Sequence, residues 1–276
     1  MASAACSPPP ARSSCRMSRL EALTRCHPQE AASLLELRRW RFCFRSYQEM
    51  PPQNALRYPW TQGADCFVFL PVTGGAEALQ KHPVLCFLHG VGEAVNGGNA
   101  EGVAAHQSPA WHAANGSHLT APFLVVCPQR LEPGPWTAID AKNLHLVLDQ
   151  IIGEHSGCPE RVFLTGFSYG GDAVFWFPTY DRGERFRKLW AVDPALSTSS
   201  SGSLPIPTQE CPILVHYGED ACHEMPNFNQ CAGLLKWPTE GIPVDGRFAC
   251  DLGLPHVDTC RAAYQDQRAY EWLLQL

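Results

Sequence analysis

The sequence has no stretch of about 18 uninterrupted apolar residues, so no segment is read as a membrane span. It has no long basic run either. Its 21 Lys and Arg stand against 27 Asp and Glu, a mildly acidic balance that argues against nucleic acid as the main partner. The start of the chain lacks the apolar core of a secretory signal. No Cys-x-x-Cys pair occurs, although there are 13 cysteines. A disulfide framework belongs to short secreted chains, so in 276 residues these thiols are expected to be reduced and buried as small hydrophobes. Cys211, Cys222, Cys231, Cys250 and Cys260 do crowd the last quarter, which leaves a bridge or two open if the protein is exported.

The segment Met1 to Leu20 contains Ser, Ala, Pro and Arg and no acid. That composition suits an organelle transit peptide, but Pro8-Pro9-Pro10 favours a disordered tail. Residues 1–29 are read as that tail and 30–276 as one domain. The expected compartment is the cytoplasm, with a plastid or mitochondrion as the alternative. Glu30 to Trp40 has near-helical apolar spacing, and Arg41 to Tyr47 alternates like a strand.

From residue 66 onward, short apolar runs alternate with helical patterns. Strands are expected over Cys66–Leu70, Pro83–Leu88, Phe123–Cys127, Arg161–Thr165, Leu189–Val192, Pro212–His216 and Arg247–Cys250. Helices are expected over Ala141–Ile152, Gly171–Phe177 and Ala262–Leu274, the first with Leu144, Leu146, Val147, Ile151 and Ile152 as its apolar set. This rhythm implies a mostly parallel central sheet with helices on both faces, whose chemistry sits at the carboxyl ends of the strands. The connection from Val91 to Thr120 is long, a length that marks a functional or mobile loop.

Several strand ends carry reactive groups. Gly166-Phe167-Ser168-Tyr169-Gly170-Gly171 follows one strand and leads into a helix. A Gly-x-Ser-x-Gly pattern in that setting forms a tight turn with a strained serine at its tip. The helix amides behind it can stabilise an oxyanion. His89-Gly90-Val91-Gly92 follows another strand, where the backbone N–H of Val91 would be a second donor beside that of Tyr169. After the serine, the fold's usual order is acid and then His. His216 falls inside a strand pattern, and His223 is too near the acids in sequence. His256, in Gly253-Leu254-Pro255-His256, hangs after the last strand and is the expected base. Asp220, after the turn at Gly218, is the preferred acid, with Asp193 as runner-up and Glu219 still open. Trp111 and Trp136 are candidates for a substrate-pocket wall. The spacing of His106, His112 and His118 fits no zinc pattern, so no metal is expected.

Leu88-His89-Gly90-Val91-Gly92-Glu93 resembles the Leu-His-Gly-x-Gly-Glu segment of α/β-hydrolases in the phospholipase/carboxylesterase and predicted-peptidase group, relatives of feruloyl and polyhydroxybutyrate-type esterases. Phe123 to Gln129, the position of Trp136, the elbow from Arg161 to Gly171 and the ending from His256 through Trp272-Leu273-Leu274 carry the likeness across roughly residues 60–276. The resemblance implies an α/β-hydrolase fold without a large lid domain. It also implies ester hydrolysis by a Ser-Asp-His triad, with a small-molecule ester as partner and no cofactor. Tyr169 departs from the Met, Leu or Gln usual after the serine, and the acid turn Gly218-Glu219-Asp220 is one residue short. The same residues admit two other functions: a hydrolase-like ligand-binding or receptor protein with little turnover, or a peptidase or thioesterase.

Overall fold

The computed structural model describes residues 55–72, 81–94, 100–181, 185–195, 211–222 and 225–275. The expected tail, the helix over 30–40, the strand over 41–47 and His223 lie outside these residues.

Nine strands of the described residues form one sheet. They are β1 (Leu56–Pro59), β2 (Asp65–Phe69), β3 (His82–Leu88), β4 (Leu124–Pro128), β5 (Gly157–Phe167), β6 (Phe186–Val192), β7 (Ile213–Tyr217), β8 (Leu235–Lys236) and β9 (Arg247–Asp251). Their order across the sheet is β1-β2-β4-β3-β5-β6-β7-β9-β8. Only the β1–β2 and β2–β4 pairs are antiparallel; all others are parallel. The central strands are continuous apolar runs because both faces are covered. On β3, Val84, Cys86 and Leu88 face one apolar cluster, while Leu85 and Phe87 face the other.

The helices divide between the faces accordingly. The first cluster is covered by α3 (Ala138–Glu154), α4 (Tyr169–Trp176) and α5 (Met225–Ala232). The second is covered by α1 (Ala100–Val103), α2 (Pro109–Ala114), α6 (His256–Gln265) and α7 (Gln267–Leu274). Among the described residues no separate lid domain stands apart. α3 starts where it does because Thr137 and Asp140 form a reciprocal capping box, with Asp140 Oδ2 accepting the Thr137 N–H at 2.8 Å. Its buried stripe is Ala141, Leu144, Leu148 and Ile151, and Leu146 of the expected apolar set points to solvent.

Two further expectations change. The stretch from 91 to 120 is not one long loop, since it holds α1, α2 and two short 3₁₀ turns, Val91–Glu93 and Ala105–Gln107. The single closing helix is two. Asp266 adopts an extended backbone, ends α6 and caps α7 by accepting the Arg268 N–H at 3.0 Å. The described cysteines whose side chains are placed are all free, and Cys66, Cys86, Cys127, Cys158, Cys211 and Cys260 are buried.

Candidate active site

The elbow is built by a close approach of two glycines. β5 runs to Phe167, Ser168 turns with φ 57° and ψ −120°, and α4 begins at Tyr169. A side chain at Gly170 would place its Cβ 1.9 Å from the Leu88 carbonyl oxygen, and one at Gly166 would come within 2.3 Å of the Gly170 carbonyl oxygen. Neither contact can relax, because each partner is backbone. Ser168 thus holds a conformation costing on the order of 1–3 kcal/mol, which the surrounding strands impose. Its N–H donates to the Val192 carbonyl at 3.0 Å, tying the elbow to the end of β6.

His256 is the first residue of α6, with Pro255 as N-cap, rather than a loop residue ahead of the helix. Its imidazole lies 4.5 Å from the ring of Phe167, the residue before Ser168. Its Nδ1 is hydrogen-bonded to Asp193 Oδ2. The carboxylate hydrogen-bonded to His256 Nδ1 is that of Asp193, the runner-up for the acid after Asp220. Asp193 is 1% exposed, its other oxygen accepts the Gly218 N–H at 2.8 Å, and its own N–H donates to the His216 carbonyl at 2.7 Å. Its φ of 39° is left-handed, a conformation that Asp tolerates better than most residues. Glu219 and Asp220 are exposed on the turn beyond β7. Asp220 is close, since ligand atoms of Asp193, Asp220 and His256 all lie within 4.8 Å of one another. The physical reason for Asp193 is sheet order. β6 adjoins β5, so the residue ending β6 stands beside the elbow. The sequence signal was a carboxylate terminating the fully apolar run Leu189-Trp190-Ala191-Val192.

The turn after β3 is braced from several sides. The Arg130 N–H donates to His89 Nε2 at 3.0 Å, so that nitrogen is the acceptor and Nδ1 carries the proton. Nδ1 then donates to the Gly90 carbonyl at 2.7 Å. Burial pushes the His89 imidazole down to about 4, which keeps this neutral tautomer. A trans peptide is planar, so holding the Gly90 carbonyl toward His89 turns the Val91 N–H the opposite way. A Cβ on Gly90 would meet Ser168 Cβ at 3.0 Å, which sets how closely the turn rests on the serine.

Trp136 is 4% exposed, donates from Nε1 to the His89 carbonyl at 2.9 Å and stacks edge-on against His89. It braces the turn from within the core. Trp111 is half-buried on α2, edge-on to His112 and packed against the second apolar cluster. Val91 sits in the 3₁₀ turn and Tyr169 opens α4, both half-buried. His216 is fully buried and accepts the Trp190 indole N–H at 2.9 Å, as a packed strand histidine should. The sequence reading gave no separate role to His89 or Glu93, although both stand in the quoted motif.

No helix among the described residues is long and apolar enough to cross a membrane. No protein-family model matches the sequence, and no curated protein is significantly similar to it. Solved structures are similar in fold. A ferulic acid esterase superposes with a TM-score of 0.55 at 16% identity, over 80% of this chain and 98% of that one. An S-formylglutathione hydrolase from Staphylococcus aureus gives 0.55 at 13% identity, over 79% of this chain and 97% of that one. A thermostable esterase gives 0.51 at 19% identity over 79% of this chain, which spans only 61% of that protein. At such identities the likeness is one of architecture.

Proposed function

We propose that this chain, which has the α/β-hydrolase fold, is a serine hydrolase cleaving carboxylic esters through an acyl-enzyme, with Ser168 as nucleophile, His256 as base and Asp193 as acid. The observation that carries the reading is the buried Asp193–His256 bond beside a strained serine elbow. Ser168 Oγ attacks the ester carbonyl while His256 Nε2 takes its proton. Asp193 keeps the Nδ1–H tautomer in place and stabilises the imidazolium as it forms. The N–H groups of Val91 and Tyr169 receive the oxyanion. The tetrahedral adduct then expels the alcohol, which leaves with the proton from His256. A water molecule, deprotonated by His256, attacks the acyl-enzyme, and Ser168 recovers its proton as the acid departs.

The resemblance of the His-Gly-x-Gly-Glu turn and of the chain's ending to esterases supports an ester as substrate, as do the esterases among its structural neighbours. The test is hydrolysis of p-nitrophenyl acyl esters of graded length by the wild type and by Ser168→Ala. Turnover that disappears in the variant is expected. A folded wild type that binds these esters without turnover favours the ligand-binding reading, and turnover unchanged in the variant overturns Ser168.

A further inference from the structure

Glu93 is a carboxyl group in an unusual place. It closes the 3₁₀ turn Val91–Glu93, is 3% exposed and has no Lys or Arg partner among the described ion pairs. The backbone N–H groups of Gly90 and of Glu93 itself favour its ionised form against the penalty of burial. The site that a Gly90 Cβ would fill is 2.9 Å from Glu93 Oε2 and 3.0 Å from Ser168 Cβ, so carboxyl and serine are at most about 6 Å apart. On its other side, Glu93 Oε1 lies 3.5 Å from His106 Nε2. His106 is held there by a left-handed backbone, φ 58°, with its ring edge-on to Phe167.

We propose that Glu93 is a positioning residue of this site, whose ionised carboxylate clamps the oxyanion turn and makes hydrolysis depend on the ionisation of a group outside the triad. The proposal rests on the serine-hydrolase reading. Gly90 is flanked on both sides: its carbonyl accepts from His89, and Glu93 Oε2 lies 2.9 Å from where a Gly90 Cβ would stand, so an ionised carboxylate there draws the Gly90 N–H toward it. With both fixed, the Gly90–Val91 peptide keeps the Val91 N–H in one orientation before substrate arrives, which is what preorganisation requires. An ionised carboxylate attracts a backbone N–H roughly twice as strongly as a neutral acceptor does. A negative charge here also attracts the imidazolium of His256 and repels the oxyanion. These two charges form together, so their effects largely offset and the clamp decides the sign.

The groups facing Glu93 suit this role. His106 comes from the segment before α2, and burial pushes its imidazole down to about 4, so it is a neutral neighbour rather than a counter-ion. From α6 come His256, Cys260 and Tyr264, with burial holding the protons on Cys260 and Tyr264. Arg261 acts on His106, and Asp193 acts on Cys260. Burial in this setting pushes the Glu93 carboxyl up to about 7, inside the range where an esterase works.

The experiment measures the second-order rate of fluorophosphonate capture by the full chain between about pH 5.5 and pH 8.5, for wild type, E93Q and Ser168→Ala. E93Q keeps an oxygen acceptor for Gly90 and removes only the charge. The expected ratio of wild-type to E93Q rates is about tenfold at the alkaline end and falls toward one at the acid end, where Glu93 is protonated in the wild type. A ratio that does not change with pH overturns the proposal and leaves the hydrolase reading intact. Absence of Ser168-dependent capture in the wild type overturns the hydrolase reading itself. Should E93Q not fold, the wild-type profile decides: its acid limb must require two deprotonations, and a limb described by one overturns the clamp.

Discussion

The two halves of the candidate site are made in different ways. The serine half is local: six consecutive residues, Gly166 to Gly171, form strand end, turn and helix start, and the backbone clashes at Gly166 and Gly170 define the conformation. The acid–histidine half is assembled from separate strand ends. Asp193 ends β6, Gly218 follows β7 and His256 begins α6, and the three meet only because the sheet places them side by side. A local device announces itself as a motif, whereas an assembled one is fixed by topology. That difference orders the predicted effects.

The largest expected effect lies in the local half. Ser168→Ala should lower ester turnover by roughly 10⁶-fold with the circular dichroism spectrum unchanged. Gly170→Ala should fail to fold, because the new Cβ meets the Leu88 carbonyl oxygen at 1.9 Å. Soluble, active Gly170→Ala protein would contradict the elbow geometry. The assembled half is tested by a pair of substitutions. Asp193→Asn should reduce kcat by roughly 10⁴-fold, since it loses the charge that fixes the His256 tautomer. Asp220→Asn should cost less than about tenfold, as expected for an exposed charge near the site. The reverse ranking would return the acid role to the turn after β7.

Smaller effects concern stability. Glu93 has a folded-state pKa of about 7 against an ordinary 4.5, so the unfolded chain releases this proton first as the pH rises. The native state therefore loses stability between those values, and E93Q escapes the loss. E93Q should be the more stable protein at pH 8, by up to about 3 kcal/mol in urea unfolding, with the gap closing below the ordinary carboxyl range. A variant that is more stable and less active separates a functional carboxylate from a structural one. The buried imidazoles of His89, His106 and His112 have the opposite sign. Each is pushed down to about 4 by burial, so the unfolded chain takes up protons first as the pH falls below 6.5. Stability should decline from about pH 6.5 toward pH 4, and His112→Phe should flatten that decline. The smallest effect is expected of Trp136→Phe, which removes one hydrogen bond to the His89 carbonyl and should cost about 1 kcal/mol.

The same contrast explains what could be read in advance. Parallel strands buried on both faces leave apolar runs, so β3 to β7 were visible within a few residues, and so was the elbow that one of them feeds. The proposed base, His256, could be singled out because it follows the apolar run that becomes β9. Asp193 was ranked second because choosing it needs the order β5-β6-β7, which no local pattern encodes. The break between α6 and α7 was missed because Asp266 reads as an ordinary helix-surface residue until its cap on Arg268 is seen. The bracing of the turn by His89, Trp136 and Glu93 was equally hidden. It joins residues 41 and 47 positions apart, His89 with Arg130 and His89 with Trp136, through single hydrogen bonds.

The central claim is that one serine, held at the elbow and served by the Asp193–His256 pair, performs covalent chemistry. The most direct measurement is peptide mapping by mass spectrometry after reaction of the whole chain with a fluorophosphonate. The account predicts one modified residue, Ser168, and strongly slowed modification in Asp193→Asn. A label on any other residue, or capture by Asp193→Asn at the wild-type rate, would contradict it.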